Sequence, residues 1–148
     1  MGRVSNALGK RIYLDSNMVI YAIEGMAKFA AQIQPILDAM DGGEIFVVTS
    51  ELTLAEVLVG PIKAGNFPVQ QTYRAFLTTT SIVEIIPITR PILEEAARLR
   101  ATTRLKLPDA IHLATALHLQ CDSFVTNDDL FRSLGLNQIK MLTDLKLH

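Results

Sequence analysis

The chain has a single cysteine, Cys121, among 148 residues. An internal disulfide is therefore excluded, and so is a thiolate cluster for zinc. A lone thiol of this kind is expected to be a small, buried apolar side chain. Long apolar runs are missing too: no stretch reaches the about 18 residues that a membrane-spanning helix requires. Residues 1–10 carry no apolar core of the signal-peptide type, so the cytoplasm is the expected compartment and no membrane partner is expected. Net charge is nearly absent as well. Fourteen basic residues stand against fifteen acidic ones, giving -1 at pH 7, a balance unlike that of proteins that coat nucleic acid by neutralising phosphates.

Apolar material, by contrast, is abundant. Hydrophobic residues make up 49% of the chain and charged residues 20%, which excludes disorder and suffices for one core in a chain of single-domain length. No repeat, low-complexity tract or linker divides the sequence. Residues 1–10 are small and polar and read as an N-terminal tail, loosely held, with residues 11–148 forming the domain.

Arg11-Ile12-Tyr13-Leu14-Asp15 predicts a short strand ending in a carboxylate. A short helix follows from Asn17 to Glu24, closed by Gly25. From Ala27 to Met40 the apolar residues Ala30, Ile33, Ile36, Leu37 and Met40 recur at helical spacing, and Gly42-Gly43 stops that helix. Ile45-Phe46-Val47-Val48-Thr49 is apolar without alternation, as in a parallel strand buried on both faces. Ser50 caps the next helix. A further helix is expected over Val69–Thr78 and a third strand over Ile82–Ile86. Thr89 and Pro91 open a helix to Thr102, and Pro108 opens another over Asp109–Leu119. Ser123–Thr126 reads as the fourth strand, Asp128–Leu134 as a short helix and Ile139–Leu142 as a weaker fifth strand. This alternation predicts an α/β/α sandwich around a mainly parallel sheet of about five strands.

Ligands of such sheets bind outside the carboxyl ends of the strands, and that rule selects residues. Asp15 ends the first strand, Glu56 lies early in the helix after the second, and Asp128 follows the fourth. Asp109 sits in the first turn of the helix that feeds the fourth strand. Gathered carboxylates repel one another, and a fold tolerates this when a cation neutralises them. An all-oxygen set without sulfur or paired histidines favours Mg²⁺ or Mn²⁺, which suits hydrolysis of a phosphodiester. Structural alternatives stay open for each residue. Asp15 and Asp109 are also good helix-start residues, Glu56 could be an ordinary surface carboxylate, and Asn127-Asp128-Asp129 could be a plain turn. Spacing alone does not separate Asp128 from Asp129. His112, one turn beyond Asp109, is either a base or a packed histidine. Arg98, Arg100, Arg104 and Lys106 form a basic run just before Asp109, suited to RNA phosphates or to the end of a helix dipole.

Taken jointly, these segments resemble the PIN-domain family. Ile12-Tyr13-Leu14-Asp15-Ser16-Asn17 and Thr49-Ser50-Glu51-Leu52-Thr53-Leu54-Ala55-Glu56-Val57 are similar to its first two motifs. Leu107-Pro108-Asp109-Ala110-Ile111-His112-Leu113-Ala114-Thr115-Ala116 resembles the third, and Cys121-Asp122-Ser123-Phe124-Val125-Thr126-Asn127-Asp128 the fourth. The size is similar to toxins of the VapC kind from type II toxin–antitoxin pairs. That resemblance implies a Mg²⁺- or Mn²⁺-dependent ribonuclease that cleaves RNA through a metal-activated water. It also implies a homodimer, held silent by a small antitoxin. Asp15, Glu56, Asp109 and Asp128 match the acidic quartet, with Asp15 and Asp109 as principal metal ligands and Glu56 and Asp128 completing the shell or orienting a water. Asn17 and Thr126 match supporting polar positions. Two rival readings are a small-metabolite phosphohydrolase with Asp15 as covalent nucleophile, and an RNA- or protein-binding module with a vestigial metal site.

Overall fold

The computed structural model describes residues 2–79 and 81–147. Its strands are β1 (Arg11–Leu14), β2 (Phe46–Ser50), β3 (Val83–Ile86), β4 (Ser123–Thr126) and β5 (Ile139–Met141). They form one sheet in the order β3-β2-β1-β4-β5 with every neighbouring pair parallel. Register places Tyr13 of β1 beside Val48 of β2 and Phe124 of β4. Because side chains alternate across a strand, Ile12, Leu14, Val47, Val83 and Val125 enter one apolar cluster, while Tyr13, Val48, Ile86 and Phe124 enter the other. Buried on both faces over most of their length, the central strands β1, β2 and β4 need no polar alternation, whereas β3 exposes Glu84 and β5 is half-buried at Ile139 and Lys140.

The first face is covered by α1 (Arg3–Leu8), α2 (Ser16–Glu24), α3 (Ala30–Asp41), α4 (Glu51–Lys63) and α5 (Phe67–Thr78). The second is covered by α6 (Arg90–Thr102), α7 (Leu107–His118) and α8 (Asp129–Arg132). Every residue of α7 from Ala110 to Ala116 is buried, as expected of a helix enclosed on all sides. Polar side chains start α2, α4 and α8: Asp15 accepts from the Met18 N–H, Ser50 from Leu52 and Asp128 from Leu130, which satisfies amides left without intrahelical partners. Asn66 caps α5 in the same way, with Pro68 in its first turn, and so α5 begins two residues before the expected Val69. The helix expected from Ala27 divides into a 3₁₀ turn, Ala27–Phe29, and α3. No helix among the described residues is long and apolar enough to cross a membrane.

The segment expected to be a loose tail is instead ordered; Met1 lies outside the described residues. Val4 and Leu8, one helical turn apart, are buried in the first cluster, and average polarity over ten residues concealed that pair. Ser123 Oγ donates to the Leu8 carbonyl at 2.5 Å, and the Ser5 N–H donates to Glu44 at 2.7 Å. The N–H groups of Lys10 and Arg11 donate to Asp122 Oδ2 at 2.8 and 3.0 Å. Gly9 makes this junction at φ +86°, and a Cβ there would lie 2.3 Å from Asp122 Cβ. Cys121 is buried as expected, and burial pushes its thiol up to about 12.

Candidate active site at the carboxyl edge of the sheet

From β1 the chain builds the sheet outward through β2 and β3 on one side, and later through β4 and β5 on the other. The direction reverses between β1 and β4. A crevice opens at the carboxyl ends of strands at such a switch point, because the following segments leave toward opposite sides. Asp15 stands there, immediately after β1, and Thr126 is the last residue of β4.

A hydrogen bond spans the crevice: the Thr126 hydroxyl donates to Asp15 Oδ2 at 2.6 Å, and Thr126 Oγ1 accepts from the Asp128 N–H at 3.1 Å. The other oxygen of Asp15 accepts from the Met18 N–H at 3.2 Å. Asp15 is therefore both a helix cap and a member of the site. It is only 6% exposed, and burial raises its carboxyl to about 6 against the pull of these hydrogen bonds.

Asp109 is half-buried in the first turn of α7 and does not cap it; Lys106 holds the cap position without a side-chain hydrogen bond. Burial raises the Asp109 pKa, the negative charge of Asp128 raises it further, and Glu56 adds to the effect. His112 and, less strongly, Lys106 oppose these. The structure also separates the two aspartates that spacing left ambiguous. Asp128 caps α8 through Oδ1 and faces Asp109, whereas Asp129 is exposed and pairs with Arg132 at 3.5 Å.

Glu56 is held differently. Its Oε1 lies 2.6 Å from His112 Nε2. Partial burial acts to raise its pKa, but the hydrogen bonds from His112 and Ser16 outweigh this and bring it below the ordinary value. His112 Nδ1 lies 2.5 Å from the Tyr13 hydroxyl, which also accepts the Ser50 N–H at 3.1 Å. Sequence reading gave Tyr13 no part in the site and Ser50 only its place as a helix cap. Tyr13 sat in a run read only as β-forming, and its partner His112 is 99 residues away. The available signal was the three-residue offset of His112 from Asp109, which places both on one side of α7.

Among the supporting positions, Thr126 is engaged as described, whereas Asn17 is exposed in the first turn of α2. Of the basic run, Lys106 is electrostatically joined to the carboxylates through Asp109. Arg98 is exposed on α6 beside Glu95 at 3.3 Å, and Arg100 and Arg104 are exposed.

The donor set suits a hard cation, being all oxygen, with negative charges close enough to raise the pKa of Asp15 and of Asp109. The fit is one of chemistry and charge and stops short of a finished cage. Among the described residues, no three His, Cys, Asp or Glu side chains stand in coordinating geometry. Hydrogen bonds within the chain occupy Asp15, Asp128 and Glu56.

No curated protein matches this chain. Solved structures do. A chain of a toxin–antitoxin complex from Klebsiella pneumoniae is similar at 27% identity and TM-score 0.65, over 88% of this chain and 97% of that one. VapBC2 from Rickettsia felis, bound to a DNA fragment from their promoter, is similar in fold at TM-score 0.70 and 19% identity, over 88% of this chain and 98% of that one. VapC20 from Mycobacterium tuberculosis, a sarcin-ricin loop cleaving toxin, is similar in fold at TM-score 0.65 and 16% identity, over 86% of this chain and 97% of that one. The PIN domain family profile matches residues 12–136. That span runs from the second residue of β1 to the loop before β5 and takes in the whole β1/β4 crevice, and the chain belongs to the PIN-domain family.

Proposed function

We propose that this PIN domain is a divalent-metal-dependent endoribonuclease and the toxin of a toxin–antitoxin pair. One observation carries the reading. Asp15 and Asp109 have raised pKa values at the β1/β4 switch, with the charge of Asp128 acting on Asp109. Carboxylates kept together against their own repulsion mark a site that a cation completes. Mg²⁺ or Mn²⁺ held by Asp15, Asp109 and Asp128, with Glu56 completing the shell or orienting a water, would lower the pKa of water and neutralise charge developing on the phosphate.

The residues of the chain prepare that site. Asp15 is fixed from two sides, by Thr126 and by the Met18 N–H, so its orientation is set before any ligand arrives. Glu56, with its lowered pKa, is anionic at neutral pH and able to accept a hydrogen bond from the attacking water. Lys106, with Arg98, Arg100 and Arg104 beside it in sequence, is suited to phosphates of the RNA backbone. Hydrolysis by this route leaves a 5′-phosphate and a 3′-hydroxyl. Asp15 itself is poorly suited to attack, being 6% exposed with both oxygens hydrogen-bonded, and this disfavours the covalent phosphohydrolase. RNA as substrate is supported by the similarity to VapC20, and an antitoxin partner by the similarity to a toxin–antitoxin complex. The proposal includes a homodimer in the cytoplasm.

The test is cleavage of total RNA by the purified chain with Mg²⁺, Mn²⁺ or EDTA, beside Asp15→Asn and Asp109→Asn. Discrete products that require metal and vanish in both variants are expected. Cleavage that survives both substitutions would sink the site, and a folded wild-type chain that binds RNA without cutting it would favour the binding module.

A further inference from the structure

His112 is outside the acidic quartet, yet it is 2% exposed with both ring nitrogens engaged. The direction of its hydrogen bonds follows from the groups available. The Ser50 N–H can only donate, and it uses a lone pair of the Tyr13 hydroxyl. On the other side of the ring a carboxylate can only accept, so the hydrogen between His112 and Glu56 is on Nε2, aimed at Oε1. These contacts link Ser50, Tyr13, His112 and Glu56 in one chain, from the end of β2 through β1 and α7 to α4.

Two features set this arrangement apart from a histidine that is merely packed. The relay begins at a backbone amide held by the sheet, so its origin is rigid. Its far end is a half-buried carboxylate whose charge acts on Asp109, three residues before His112 on the same helix. The distance between the Glu56 and Asp109 carboxylates is thus set through α7 itself.

We infer that His112 is a positioning residue: it clamps Glu56 by Oε1 at a fixed place relative to Asp109, while Ser16 also hydrogen-bonds the same carboxylate. The inference rests on the proposed metal site, and its closing experiment reads metal binding apart from RNA cleavage. His112→Asn keeps a hydrogen-bonding partner for the Tyr13 hydroxyl but is too short to reach Glu56. His112→Gln restores an N–H donor near the Nε2 position.

Titration calorimetry with Mn²⁺ alone, on the full chain, is expected to show affinity reduced about 10- to 100-fold in His112→Asn and largely recovered in His112→Gln, the size usual for partners that orient a ligand. The kcat for RNA should follow the same order, while KM moves less than about threefold, because the RNA-contacting surface is untouched. In the wild-type chain, a ¹⁵N–¹H spectrum should show an exchange-protected Nε2 proton on His112, a readout independent of whether the variants fold. Unchanged Mn²⁺ affinity in His112→Asn, equal impairment of both variants, or absence of that Nε2 proton overturns the inference. If Mn²⁺ binding follows the predicted order but no RNA is cut, the clamp stands and the nuclease reading falls. If RNA is cut equally well by His112→Asn, the nuclease stands and the clamp falls.

Discussion

At the amino edge of the sheet, Asp122 accepts the Arg11 and Lys10 N–H groups and Glu44 accepts the Ser5 N–H, and these backbone hydrogen bonds pull both carboxyls below their ordinary pKa values. At the carboxyl edge, burial and neighbouring negative charge push Asp15 and Asp109 the other way. The residue types are the same and the sheet is the same. What differs is the source of the compensating positive charge or N–H groups. The amino-edge carboxylates find them in the chain and stabilise its N-terminal segment, whereas the carboxyl-edge pair is only partly compensated, and its charged form costs stability until a cation supplies the rest.

That contrast breaks if substitutions at the two edges have similar effects. Asp109→Asn should reduce RNA cleavage by about 1000-fold or more, as expected for loss of a metal ligand, with the melting temperature unchanged or raised. Gly9→Ala should do the reverse. Its Cβ meets Asp122 at 2.3 Å from a φ of +86°, for a loss on the order of 2–4 kcal/mol, while kcat per folded molecule is retained. Urea unfolding combined with turnover measurements on both variants decides the matter; loss of fold in the first or of turnover in the second would erase the distinction.

Asp15 sharpens it through pH. Its folded pKa of about 6 exceeds the ordinary 3.8 of an aspartate, so between these values the folded chain binds more protons than the unfolded one. Stability is therefore greatest below about pH 4 as far as this group is concerned, and it falls as pH rises through about 6. The full effect is at most about 3 kcal/mol. In metal-free buffer, Asp15→Asn should lack this slope and exceed the wild type in stability at pH 8. Mn²⁺ should narrow the gap by stabilising the wild type alone. At the opposite edge, Asp122→Ala should cost about 1 kcal/mol, modest because the carboxylate is exposed, with cleavage unaffected. Smallest of all, Lys106→Ala should weaken RNA binding a few-fold and reduce its salt slope by about 0.7, the value for one phosphate contact on a single strand.

Much of the frame was legible in the sequence because it follows from patterns within a few residues. Ile45–Thr49 has no polar alternation, which identifies a parallel strand buried on both faces, and Ser123–Thr126 was placed with the bounds that β4 has. The strand-end rule then brought Asp15 and Asp128 to one edge. Contacts between distant segments were not legible. Nothing local distinguishes Asp128 from Asp129; the difference is the proximity of Asp109, from another element. Val4 and Leu8 were too sparse to outweigh their polar neighbours. Tyr13 reads as a good strand residue wherever its hydroxyl points, and only the packing of α7 over β1 gives that hydroxyl a partner.

The central place of β1 also sets a clock. Asp15 and Thr126, joined by one hydrogen bond, are 111 residues apart in sequence. β1 lacks one of its two neighbours until β4 has been made. At synthesis rates of about 5–20 residues per second, the first carboxylate of the crevice precedes its hydroxyl partner by roughly 6 to 22 s. No shorter nascent chain contains both walls of the crevice, and closing so long a loop is among the slower events of folding. A chain proposed to cut RNA thus has no cutting edge until residues 15–126 have all been made.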